Sequence, residues 1–151
     1  MWQRVFGRSD SGLTPAQIAE GLASAGIACV PHFKGDDLGW TSGELHFATG
    51  SPILLARYLT KPDDLRADLN AFAAELETMT YSANAPALME RVIQTKQMVT
   101  LRKPFDHGDE VKLDAVCEHL MQSLAAASDG VYQIDGKGWF ASDGELLVQE
   151  Y

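Results

Sequence analysis

Nowhere in these 151 residues do eighteen apolar residues occur together, so no segment has the length of a membrane-spanning helix. The first residues also carry no basic stretch leading into an apolar run, and export is not expected. A cytoplasmic setting without a membrane partner is the expectation. Cysteine is scarce. Cys29 and Cys117 each lie in an apolar stretch, which argues against a disulfide framework and for reduced, buried thiols. Positive charge is short as well. Twelve Lys and Arg face 21 Asp and Glu, for a net charge of −9, and no basic cluster is interleaved with aromatics. Such a field repels phosphate backbones, so nucleic acid is not expected as a partner.

The motifs of common chemistries are missing too. No Gly-x-Ser-x-Gly elbow occurs. Gly35, Gly39, Gly43 and Gly50 spread through a hairpin region instead of joining a strand to a helix, and so form no nucleotide loop. There is no internal repeat and no low-complexity linker. Length and the 46% hydrophobic content suit a single α+β domain spanning residues 1–151.

What is present is clear periodicity. Trp2 to Phe6 reads as a first strand, and Thr14-Pro15-Ala16-Gln17 as a capping box with proline at the first helical position, opening a helix that Gly26 ends. Ile27 to Phe33 is a short strand in which Pro31 demands an edge or a bulge. Lys34 to Gly39 is turn-rich and leaves Trp40 in a loop, with strands following at Glu44 to Ala48 and Ile53 to Leu59. The strongest element is a helix from Asp63 to Met79. At 100° per residue, Leu65, Leu69, Phe72, Leu76 and Met79 fall on one side, which must face a core. A helix from Asn84 to about Gln94, a strand at Gln97 to Leu101, and a helix with Leu113, Val116, Cys117, Leu120, Leu124 and Ala127 inward follow. Three short strands, 131–135, 138–141 and 145–149, close the chain as a meander. The order gives an α+β fold: an antiparallel sheet with helices mainly on one face, a ferredoxin-like order through Leu101 and a C-terminal β-meander.

Weak sites compete with ordinary structural roles. Cys29-x-x-His32 and Cys117-x-His119 have zinc-binding residue types, but strand and helix geometry point the members of each pair apart, so no metal is expected. Asp106 and His107 sit in the polar run Lys103 to Glu110, where a carboxylate beside an imidazole would suit acid–base chemistry; capping of the next helix by Asp109 and Glu110 accounts for most of that run. Trp40, flanked by Asp36 and Asp37, is a candidate contact anchor, against the alternative that its ring folds back over the sheet. Trp2 and Trp139 are assigned to the core. Ala67, Ala71 and Ala74, with Thr78, form the outer face of the Asp63 to Met79 helix, either as plain helix formers or as a close-packing surface.

No catalytic residue and no cofactor emerge. The expectation is a non-catalytic protein-binding or regulatory domain, its acidity suited to a basic protein partner, with a homodimer through the alanine face as another possibility. The alternative is a small enzyme or ligand-binding domain with a pocket between sheet and helix, using His107, Asp106 or His46.

Overall fold

A computed structural model describes residues 2–105 and 109–151. Strand β1 (Trp2–Gly7) is followed by α1 (Pro15–Ser24), then by β2 (Val30–Asp36), β3 (Gly39–His46) and β4 (Ile53–Leu59). Helices α2 (Arg66–Glu77) and α3 (Ala85–Ile93) lead to β5 (Gln97–Arg102) and α4 (Glu110–Ala127), and β6 (Gly130–Ile134), β7 (Gly138–Ala141) and β8 (Leu146–Gln149) form the closing meander. The described strands make one open antiparallel sheet in the order β2-β3-β4-β5-β1-β6-β7-β8.

Local chemistry explains the element ends. Thr14 accepts from the Gln17 amide at 3.2 Å while the Gln17 side chain accepts from the Thr14 amide at 2.9 Å, the reciprocal pair that satisfies two orphan donors of α1. Asp109 caps α4 by accepting from the Lys112 amide. The helix α2 is shorter than its periodicity suggests, because Asp63 accepts from the Leu59 amide and Asp64 takes a φ of 51°, a turn that holds the chain until Leu65. Its inward face is as expected: Leu65, Leu69 and Leu76 are buried, and Ala73 joins them.

The helices divide between the two sheet faces, contrary to the expectation of mainly one. Ile18 and Leu22 of α1 and the inner residues of α4 share a core with Val5, Leu45, Ile53, Leu55, Val99 and Leu101. Leu69 and Leu76 of α2 and Leu88 and Val92 of α3 share a second core with Phe6, Met98, Val131, Trp139 and Val148. Adjacent residues of one strand point to opposite faces, so Val5 serves the first core and Phe6 the second. The ferredoxin-like order would set β1 beside the hairpin strands. Instead β5 lies between β4 and β1, and β1 is flanked by β5 and β6.

Two further boundaries differ. Strand β2 starts at Val30 and runs to Asp36, and the turn after it is tight: Asp36 accepts from the Leu38 amide at 2.8 Å, and Gly39 holds a φ of 112° that a side chain would resist. Trp40 therefore belongs to β3, not to a loop. Strand β2 is at the sheet edge, which accommodates Pro31 as anticipated, and its register shifts further along, between Lys34 and Gly35.

Candidate functional site

The expected contact residues are scattered. Trp40 is 7% exposed, its indole N–H donates to the Leu13 carbonyl at 3.0 Å, and Phe33 meets it edge-on, so the ring covers the sheet from within the first core. Asp36 and Asp37 are exposed at the hairpin tip. Ala67, Ala71, Ala74 and Thr78 are all exposed, so no described element packs on that side of α2. Asp106 and His107 lie outside the described residues. His46 pairs with Glu44 at 2.8 Å and meets the His32 ring edge-on. Both cysteines are free, Cys117 buried and Cys29 partly so, and among the described residues no group of three His, Cys, Asp or Glu is placed to hold a metal. Burial pushes both thiols up, Cys117 to about 12 even though nearby Lys103 opposes the shift.

The unexpected surface is the uncovered half of the sheet. No residue of β2, β3 or β4 enters the second core, because α2 and α3 reach only the strands from β5 to β8 on that face. Directly paired residues of an antiparallel sheet share a face, so the register lists what this leaves open. One row crosses the sheet as His32, Glu44, Leu54, Arg102 and Trp2, every one of them exposed. The next row runs Lys34, Ser42, Ala56, Thr100, Arg4 and Gln133, with cover increasing toward β1 and β6. The row after it, Tyr58, Met98, Phe6 and Val131, passes beneath the helices at its far end.

Water-facing positions of a half-covered sheet ordinarily carry polar residues. Here Trp2 is 43% exposed, Leu54 41% and Tyr58 37%, on strands β1 and β4, which flank β5 in the sheet. The Arg102 guanidinium lies 5.8 Å from the Trp2 ring centroid, a cation–π contact that holds the indole in place without hiding it. Arg4 is fixed from two sides, by Asp135 at 2.6 Å and by the Phe72 ring at 5.1 Å. Burial raises the Asp135 carboxyl, but hydrogen bonds from Arg4 and Gln133 outweigh it and hold the group below its ordinary value.

Trp2, expected in the core, is thus exposed, and Trp40, expected in a loop, is buried. Sequence reasoning missed Leu54 and Tyr58 as well. A signal was there: Ile53-Leu54-Leu55 is an unbroken apolar run, which suits a strand covered on both faces, and β4 is covered on one.

Concavities flank this face. One, about 420 Å³, runs between Trp2, Tyr58 and the start of α2, with Asp63 and Asp68 at its rim. Another, about 390 Å³, lies between Leu54, Arg102, Pro52 and Phe105. A larger one, about 710 Å³, is elsewhere, at the end of the sheet where β4 and β5 meet α2 and α3. No described helix is long and apolar enough to cross a membrane. Comparison with known proteins gives no match: no family model fits the chain, and no curated protein or solved structure is significantly similar to it.

Proposed function

We propose that the chain is a non-catalytic protein-binding domain whose docking surface is the open half of the sheet. The observation that carries the reading is the exposure of Trp2, Leu54 and Tyr58 on the one face that α2 and α3 leave uncovered, Trp2 and Leu54 on either side of Arg102. Large apolar side chains grouped on a solvated face lose free energy to water until a partner covers them, and tryptophan and tyrosine are the residues that most often anchor such contacts. Around them stand Arg102, Glu44, His32 and Asp68, a polar rim able to fix orientation. The net charge of −9, to which the exposed Asp36 and Asp37 contribute, favours encounter with a basic partner.

A photo-crosslinking amino acid placed at position 54 in the native cell tests this against the same group at position 71, on the alanine face of α2. The expected result is a discrete protein adduct from position 54 and none from position 71. An adduct of twice the chain's mass from position 54 would assign the partner as a second copy. Adducts from position 71 alone would overturn the open face as the docking surface.

A further inference from the structure

We infer that the concavity at the end of the sheet is a separate binding site for a small amphipathic anion, an organic molecule with an acidic head on an apolar body. Three cations line it, Lys61, Arg66 and Lys96, against one carboxylate, Asp10. Among the described residues none of the three makes an ion pair, and the Arg66 guanidinium donates only to the Ile93 carbonyl, at 3.0 Å. That local balance reverses the chain as a whole, in which 21 acids outnumber 12 bases. The excess belongs to the lining itself, since Asp63 and Asp64, which lie between Lys61 and Arg66 in the chain, are not part of it.

The remaining lining is apolar. Leu38, Leu59, Pro62 and Ile93 form the walls, with Leu38 56% and Ile93 46% exposed. About 710 Å³ falls within the range of roughly 300–1,000 Å³ that small-molecule sites occupy, and a few convergent polar groups over apolar walls is their usual composition. A concave space of this kind favours a small molecule over a macromolecular face.

The walls are also held in place before any ligand arrives. Arg57 reaches from β4 to donate to the Leu38 carbonyl at 3.1 Å and to the Asp10 carbonyl at 2.9 Å, fastening two walls to the sheet. Its Nε donates to Gln97 at 2.9 Å, and Gln97 in turn donates to the carbonyls of Ser9 and Ser11. The Lys96 backbone is pinned on both sides, its amide to the Gly7 carbonyl and its carbonyl to the Thr60 amide. A site fixed in this way does not spend binding free energy on ordering its own loops. It shares no lining residue with the exposed row of Trp2, Leu54 and Arg102.

The anionic head can be a carboxylate or a phosphate, and the probes separate the two. The ¹⁵N-labelled chain is titrated with octanoate, with mono-octyl phosphate and with octan-1-ol, and amide shifts are followed by NMR. The expected result is saturable shifts at Leu38, Thr60, Lys61 and Lys96 with at least one anion, and binding of octan-1-ol weaker by about tenfold or more. Whichever anion binds tighter assigns the head group. The Lys61→Gln/Lys96→Gln variant should keep a folded spectrum and lose at least about tenfold in anion affinity, while Trp2→Ala should bind as the unaltered chain does. Octan-1-ol binding as tightly as either anion, undiminished binding by the double variant, or shifts centred on Trp2, Leu54 and Tyr58 would each overturn the assignment.

Discussion

Three tryptophans occupy three different environments, and each is decided by what lies over it. Trp139 is 1% exposed between Phe6 and Phe72, Trp40 sits under the Leu13 carbonyl, and Trp2 begins β1 beyond the reach of α2. Collisional quenching should follow this division: acrylamide at low concentration should quench one component of the emission, and Trp2→Phe should remove that component. A Trp40→Phe variant that removed it instead would contradict the placement of both rings. The thiol of Cys117 allows a pH argument at the same scale. Burial raises it to about 12 in the folded chain, against the ordinary value of 9.0. For an acid with a raised folded pKa, its contribution is fully present below the unfolded value and is lost as pH climbs from about 9 toward the folded value. Cys117→Ala should be the less stable form at pH 8, through the lost packing, and urea midpoints should show the gap to the unaltered chain narrowing by pH 10. A constant gap would mean that the thiol ionises freely in the fold.

The phase of α2 makes a sharper prediction than its existence. Ala73 is 5% exposed and belongs to the second core with Leu76 and Leu88, whereas Ala71 faces solvent. Ala73→Leu should cost about 1–3 kcal/mol through overpacking, and Ala71→Leu should stay within about 0.5 kcal/mol, both read from urea denaturation. Equal costs would mean that the helix is rotated. That inner face was legible in the sequence because Leu65, Leu69 and Leu76 recur at helical spacing, and the capping box of α1 was legible because its chemistry is local. The hairpin is illegible for the opposite reason: the turn-rich run Lys34 to Gly39 suggests a long loop, but the Asp36 side chain and Gly39 close the turn in two residues and draw Trp40 into β3. Trp2 was misread because hydrophobicity says that a residue gains from burial without saying whether another element covers it. The same limit hid the open face. The two sheet edges also differ in ways no periodicity records. The β8 edge is covered by Tyr81, which donates to the Gln149 carbonyl, and by Asn84, which donates to Leu147, while β2 relies on Pro31, Lys34 and a register shift to discourage pairing.

Strand order belongs to the whole molecule and was the least legible feature, because a hydrophobic pattern identifies a strand without naming its neighbours. The first strand ends up at the centre, paired to β5 about a hundred residues away and to β6 beyond it, so in the described sheet β1 joins the ladder of β2 to β5 to that of β6 to β8. It also serves both cores, through Val5 on one face and Phe6 on the other. Two cores on opposite faces need not melt together, but a shared central strand couples them: freeing β1 exposes Val5 and Phe6 together and breaks both ladders at once. The tryptophans provide the measurement, since Trp40 reports the first core and Trp139 the second. In variants keeping only one of these rings, urea transitions should coincide. Leu22→Ala, in the first core, should lower the midpoint seen by Trp139, and Leu76→Ala, in the second, the midpoint seen by Trp40, each by an amount reflecting about 2–5 kcal/mol. Separate midpoints, with each substitution felt only in its own core, would show that β1 does not join the two faces into one cooperative unit.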